Sequence, residues 1–262
     1  MKTRILHVIN GELYSGAERV QDLLALRLGE LGYEVGFCCI KPDKFPEQRM
    51  AKDAPLHLAP MNSLFDMKCA LNVARIVREN GYKLIHSHTS RNALVGRAAS
   101  LWTGVPMVHH VHSPTSRNTE SPMRNRVNTA LERVILTGVS RLIPVSRSLE
   151  GYLRGEGFAP ERIRMVANGV PTPGPLPVRD APAGEWVIGS VALFRPRKGI
   201  EVLIEAVAML RQQGKAVRLR AVGPFETVAY QTDIMALVNR LGVADAIDWV
   251  GFTRDVNAEF TR

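Results

Sequence analysis

Residues 186–211 read WVIGSVALFRPRKGIEVLIEAVAMLR, and this stretch decides the fold class. Trp186 to Leu193 is a short apolar run rich in β-branched residues, the pattern of a buried strand. Ile200 to Arg211 returns an apolar residue every three to four positions, the pattern of a helix. A basic turn ending in glycine, Arg195-Pro196-Arg197-Lys198-Gly199, joins them. Strand, tight turn and helix make one α/β unit. Such a turn suits an anion, because a helix N-terminus presents unpaired N–H groups and a partial positive charge. Arg195, Arg197 and Lys198 add full charges at the same place. The expected ligand is a phosphate or diphosphate near Lys198. A basic turn can equally be a solvated surface, so the flanking sequence has to decide.

Downstream, Arg218–Val222 and Ile247–Val250 read as strands, and Thr227–Leu241 as a helix. This second unit then holds three strands and two helices up to Arg262, about half of a doubly wound domain. Such a half-sheet is expected to show an open edge and an uncovered apolar face, which points to a chain truncated or completed by another. Upstream, residues 171–184 carry prolines at 171, 173, 175, 177 and 182 and read as a stiff linker. The expected division is a first domain over 1–170, the linker over 171–184 and a partial second domain over 185–262.

Before the linker the alternation continues. Strands are expected at Arg4–Asn10, Glu34–Ile40, Pro55–Leu58, Lys83–Ser87, Pro106–Val111, Arg141–Val145 and Ile163–Val166. Helices are expected at Gly16–Leu31, Leu64–Asn80, Arg91–Thr103, Pro122–Thr137 and Ser148–Gly155. Ser63-x-x-Asp66 resembles a capping box and Ser146 a helix cap. Apolar strands alternating with helices imply a parallel sheet covered on both faces.

Bulk properties narrow the function. The 262 residues are 45% hydrophobic and 23% charged, ordinary for a globular protein. No apolar run reaches the roughly 18 residues of a membrane span. Three cysteines, Cys38, Cys39 and Cys69, form no disulfide framework or metal spacing, which suits a reducing cytoplasm. Residues 1–177 hold 23 of the 34 Lys and Arg but 15 of the 25 acidic residues, so most of the net charge of +9 lies there. Arg117, Arg124, Arg126, Arg133, Arg141 and Arg147 form a loose basic run in that part. This suits phosphorylated ligands or an anionic membrane surface. Without interleaved aromatics or a helix-turn-helix or zinc module, nucleic acid is not an expected partner.

Polar residues gather at the expected strand ends, where open α/β sheets bind ligands. The first loop runs from Asn10 to Arg19. It lacks G-x-G-x-x-G, yet Gly16 at a helix start would let a ligand approach the backbone. It also fits a plain βα turn. His86 and His88 end the fourth strand and point the same way, but no third ligand of suitable spacing accompanies them. His112 ends the fifth strand at the same edge, where an imidazole can bond a sugar hydroxyl or move a proton near neutral pH. His110 reads as structural and His109 as facing the opposite layer. Ser146 and Asn168 follow the sixth and seventh strands, and Gly223 follows Arg218–Val222.

Taken in order, these segments resemble the family 4 glycosyltransferases of GT-B fold. Ser15-Gly16-Ala17-Glu18-Arg19 looks like the family's Gly-Gly loop, and Ile85-His86-Ser87-His88 like its first histidine strand end. Val108-His109-His110-Val111-His112 looks like the strand end carrying its active-site histidine. Ile143-Pro144-Val145-Ser146, Val166-Ala167-Asn168-Gly169-Val170, Arg195 through Gly199, and the strand ends at Gly223 and Gly251 continue the match. The resemblance implies two Rossmann-like doubly wound domains, the second incomplete here, with a nucleotide-sugar donor of UDP or GDP type in the cleft between them. It implies sugar transfer with retention to a glycan or lipid-linked acceptor. Gly16, Arg195, Lys198 and Gly223 would hold the donor diphosphate and His112 would contact the transferred sugar. Ser15, His88, Ser146 and Asn168 would face the sugar or acceptor. No metal or other cofactor is expected, since basic groups neutralise the leaving diphosphate. The implied place of work is the cytoplasm, peripherally at the membrane face.

Three departures stand out. Ser15 replaces the first loop glycine. Leu193 stands where the family has an arginine, which Arg195 would have to replace. The paired glutamates, E-x7-E, have no equivalent in these residues, so the alternative is a non-catalytic fragment that binds acceptor or membrane only.

Overall fold

The structure, a computed structural model, describes residues 2–14, 16–63, 66–114, 122–171, 180, 182, 184–253 and 255–260, with residues 122 and 124 in backbone only. The Ser15 and Arg117 assignments, the Arg124 side chain and most of the proline-rich segment lie outside these. The chain forms two units, residues 1–171 and 172–262. Among the described residues no helix is long and apolar enough to cross a membrane.

In the first unit the strands are β1 (Thr3–Ile9), β2 (Tyr33–Cys39), β3 (Leu56–Leu58), β4 (Leu84–Ser87), β5 (Met107–Val111) and β6 (Arg141–Pro144). The helices are α1 (Gly16–Leu28), α2 (Lys44–Gln48), α3 (Met67–Glu79), α4 (Ser90–Thr103), α5 (Pro122–Thr137) and α6 (Arg147–Gly155). The strands pair in parallel in the order β3-β2-β1-β4-β5-β6, the doubly wound order. This order places β1, β4 and β5 side by side. One face buries Leu6, Val8, Ile85 and Met107 against Val73 and Val77 of α3 and Ala99 of α4. The other buries Ile9, Phe37 and Cys39 with Phe45, and Ala25 and Leu28 of α1 pack against them. Each large apolar side chain so buried contributes about 1.5–3 kcal/mol.

Two sequence expectations change here. Ile163–Val166 is not a strand. Only Ile163 bridges Leu142, while the Arg164 and Val166 amides donate to Leu142 O and Pro144 O. Beyond them residues 166–170 are exposed, so there is nothing for a strand to bury. The helix α3 starts at Met67 rather than Leu64. Its cap is Asp66, whose Oδ1 accepts the Cys69 amide at 3.1 Å, rather than Ser63.

In the second unit β7 (Trp186–Val191), β8 (Val217–Val222) and β9 (Ile247–Gly251) form a parallel three-stranded sheet in that order. The helices are α7 (Ile200–Gln212), α8 (Val228–Leu241) and the short α9 (Val256–Phe260). Ile200, Ile204 and Val207 of α7 and Ile234 and Leu237 of α8 share one core with Leu219, Ala221 and Ile247. Alternation sends Arg218 and Arg220 to the opposite face. There Arg218 pairs with Glu185 and Asp248, and Arg220 with Glu259 of α9. The expected bare apolar face is thus partly ion-paired, while Val187 and Val191 on the same side stay 50% and 40% exposed. The expected open edge is present: among the described residues β7 pairs on one side only.

Candidate functional site

The anion site expected in the second unit is built on one anchor. Phe194 is fully buried and bridges Phe225 in parallel. Its amide donates to Pro224 O, and Glu226 N donates back to Phe194 O. This stitching fixes the next residue, Arg195, whose Nη1 donates to Glu226 Oε1 at 3.0 Å. Pro196–Lys198 form a 3-10 turn, and Gly199, at φ +66°, starts α7 without any side-chain cap. The first N–H groups of α7 are therefore left for a ligand. Arg197 and Lys198 are exposed, and among the described residues the Lys198 side chain has no ion-pair or hydrogen-bond partner, while its amide donates to Arg195 O at 2.8 Å. Arg195, in contrast, already has a carboxylate.

Gly223 closes the same region. Its φ is +129°, and a Cβ there would lie 1.8 Å from Ala192 O. Only glycine fits, because backbone passes against backbone at this point. The Gly223 amide donates to Gly251 O at 2.7 Å.

In the first unit the β1–α1 loop is held by two devices. Gly11 has φ +83°, and a Cβ on it would press the Cys39 Sγ at 2.8 Å. Asp22, buried on α1, accepts from the Tyr14 hydroxyl at 2.7 Å and from the Met50 and Ala51 amides at 2.6 and 2.9 Å. Asp22 clamps the loops after β1 and α2, a role that local sequence does not reveal. Gly16 opens α1 with no atom within 4 Å of where its Cβ would be. Next to this loop, Glu12, Lys41, Asp43 and Met61 line a cleft of about 330 Å³.

Five histidines meet at the carboxyl ends of the three central strands: His7 on β1, His86 and His88 at β4, and His110 and His112 at β5. His88 Nε2 lies 3.2 Å from His7 Nδ1, and His88 Nδ1 lies 3.2 Å from His112 Nε2. His86 and His110 stack with centroids 5.5 Å apart, and His110 and His112 at 4.6 Å. The third imidazole that the spacing of His86 and His88 does not supply thus arrives from other strands. His7, 81 positions from His88, was not singled out by the sequence. His109 faces the other layer as expected, with its Nδ1 2.8 Å from the Ser87 hydroxyl.

Burial keeps these rings neutral. Desolvation lowers His7, His109 and His110 to about 3 and His112 to about 4, and it drives His86 and His88 well below the usual range. His112, partly exposed at the rim, is therefore suited to hydrogen bonding rather than to moving protons near neutral pH. Ser146 is engaged: its hydroxyl accepts the Leu149 amide at 3.2 Å and caps α6. Asn168 is exposed, beyond the last bond to β6.

The order β3-β2-β1-β4-β5-β6, its polar carboxyl edge and a second parallel unit opening on a basic helix start define the GT-B class of fold. Residues 14–172 match the family model described as Glycosyltransferase Family 4, and residues 177–262 match Glycosyl transferases group 1. The chain belongs to glycosyltransferase family 4. It is similar to a D-inositol 3-phosphate glycosyltransferase of Acidothermus cellulolyticus, with 30% identity over 86% of this chain and 58% of that protein. It is also similar to an Escherichia coli UDP-Gal:alpha-D-GlcNAc-diphosphoundecaprenol alpha-1,3-galactosyltransferase, with 25% identity over 64% of this chain and 45% of the other. The chain thus spans about half the length of these curated relatives. Among solved structures, Anabaena HepE in complex with UDP and glucose superposes with a TM-score of 0.77 at 20% identity, over 96% of this chain and 70% of that one.

Proposed function

We propose that this protein moves a sugar, with retention, from a nucleotide diphosphate sugar to a glycan or lipid-linked acceptor. The observation that carries the reading is the uncapped start of α7 beside Arg195, Arg197 and the unpartnered Lys198. Breaking the bond between sugar and diphosphate leaves negative charge on the departing oxygen. Fixed positive groups aimed at that oxygen act most strongly as the charge develops, which lowers the barrier rather than only tightening binding. Arg195, oriented by Glu226, and Lys198 would hold the diphosphate. Gly16 would offer a close backbone approach, and Gly223 would shape the floor. His112 would accept from or donate to a hydroxyl of the transferred sugar, with His88 behind it setting its tautomer. Ser15 and Asn168 would stand on the acceptor side, where Ser146 would act through its cap on α6. No cofactor enters this reading.

The likeness to a protein crystallised with UDP supports a uridine nucleotide over GDP. A relative named for a diphosphoundecaprenol substrate supports a lipid-linked acceptor. The surplus of Lys and Arg in residues 1–177 suits peripheral contact with an anionic membrane on the cytoplasmic side. Thermal unfolding of the 262-residue chain with UDP, GDP and ADP tests the donor assignment. A rise in Tm with UDP, reduced in Lys198→Ala, is the expected result. No rise with any nucleotide would sink the donor assignment. Binding to anionic vesicles in that case would favour a module that binds without transferring.

A further inference from the structure

Two contacts join His7, His88 and His112 in a row: His7 Nδ1 to His88 Nε2 at 3.2 Å, and His88 Nδ1 to His112 Nε2 at 3.2 Å. Beyond His7 stands Gln21 of α1, only 1% exposed, whose Nε2 donates to Ala17 O at 3.2 Å. We infer that Gln21 and His7 are positioning residues which, through His88, hold the proton of His112 on Nε2 and leave its Nδ1 as a hydrogen-bond acceptor at the strand ends.

The row is anchored at Gln21. A carbonyl oxygen can only accept, so Ala17 O must face the amide nitrogen of Gln21 and not its oxygen. That bond orients the side chain and leaves Oε1 as the free end. Gln21 Oε1 and His7 Nε2 are both buried, and among the described residues neither has another hydrogen-bond partner. The amide and the ring interact in the sense that raises the proton affinity of His7, as a carbonyl oxygen facing an N–H does. The two atoms satisfy each other only if His7 carries its hydrogen on Nε2.

The rest follows from the chemistry of a neutral imidazole, which has one N–H and one lone pair. Burial keeps these rings neutral, lowering His7 to about 3, His112 to about 4 and His88 well below the usual range. With hydrogen on Nε2, His7 offers a lone pair at Nδ1, so His88 must donate from Nε2. His88 then offers a lone pair at Nδ1, and His112 must donate from Nε2. A single reversed ring would set two lone pairs or two N–H groups against each other. Such a junction forfeits a buried hydrogen bond, which lowers its population roughly tenfold or more. His86 and His110 pack against the row without joining it, since His86 Nε2 and both ring nitrogens of His110 have no partner.

His112 is only partly buried, so its remaining nitrogen is the one a ligand meets. As a lone pair, that Nδ1 accepts from a hydroxyl and does not donate to one. This last role alone rests on the glycosyl-transfer reading, in which the hydroxyl belongs to the transferred sugar. The proton positions depend on no substrate.

NMR of the ¹⁵N-labelled 262-residue chain near neutral pH tells a ring nitrogen that carries hydrogen from one that carries a lone pair. His7→Gln, His88→Gln and His112→Gln assign the signals. We expect hydrogen on Nε2 in all three rings of the unchanged chain. Gln21→Met removes the acceptor while keeping side-chain length and helix preference. In that variant the ratio of Nε2–H to Nδ1–H forms at His112 should fall at least about tenfold, while His109, bonded to Ser87 outside the row, keeps its form. A merely structural role for Gln21 would move His109 and His112 alike, or neither. Hydrogen on Nδ1 of His7 or His112 in the unchanged chain, or an unaltered His112 ratio in Gln21→Met, would overturn the inference. The expected proton positions in a chain that fails to bind UDP would uphold it and count against the glycosyl-transfer reading alone.

Discussion

The β7–α7 turn and the carboxyl edge of the first sheet are both polar, and they hold their polarity in opposite ways. The turn places permanent charges on a short loop: Arg197 and Lys198 are exposed, where water solvates them at little cost, and half-buried Arg195 is held by Glu226. The sheet edge places five imidazoles in a buried layer, where burial keeps each neutral. The first arrangement suits a charged ligand that arrives already solvated. The second suits partners that need lone pairs and N–H groups, such as hydroxyls. One chain therefore carries a cluster of permanent charges and a cluster of neutral nitrogen donors, each in its own unit.

Acidification should separate the two most sharply. The folded values of these histidines lie below the unfolded value of 6.5, at about 3 for His7, His109 and His110 and about 4 for His112. The unfolded chain then binds more protons below pH 6.5, so stability is full above that value and falls as pH drops toward 4. Each such histidine removes at most about 1.4 kcal/mol per pH unit. Protein followed by hydrogen exchange should lose protection in β1, β4 and β5 by pH 4.5 while β7–β9 keep theirs. Equal loss in both units would break the comparison.

Gly223→Ala asks the converse question of the second unit. A Cβ pressed on Ala192 O cannot be accommodated without moving backbone, and the positive φ adds strain. We expect about 3 kcal/mol of destabilisation by urea denaturation, with β1–β6 unaffected. A change under about 1 kcal/mol would show that the strands give way easily.

Lys198→Ala should leave Tm unchanged without ligand, because the side chain is exposed and unpartnered. It should weaken UDP binding by calorimetry about tenfold, or about 1.4 kcal/mol. An unchanged affinity would remove Lys198 from the diphosphate site. Ser146→Ala is the mildest change. Losing the α6 cap should cost about 1 kcal/mol in thermal unfolding with no effect on UDP affinity. A loss of activity beyond that stability cost would restore Ser146 to the site itself.

Local patterns carried much of this. Alternating strands and helices, the basic turn before Gly199 and the strand-end histidines are short-range features, and each is visible within about 15 residues. The capping role of Ser146 was legible for the same reason. Misplaced boundaries arose where burial rather than propensity decides. Ile163–Val166 has strand-like residues but meets only one edge of β6, and Asp66 outcompetes Ser63 because its carboxylate reaches the Cys69 amide. Arg218 and Arg220 read as ordinary strand residues, and only pairing with Glu185, Asp248 and Glu259 makes their face of the sheet tolerable.

What the amino-acid sequence determined by itself is the α/β class, the order of elements, the division into two units and the cationic turn, since these follow from periodicity and turn chemistry along the chain. Only the tertiary structure decided that His7, His86, His88, His110 and His112 become neighbours, that Asp22 clamps two loops, and that Arg195 is already paired with Glu226. The five histidines lie between 2 and 105 positions apart, and they meet because the sheet order sets β1, β4 and β5 edge to edge. Burial then decides their charge, and burial is a property of the packed sheet that no single segment possesses.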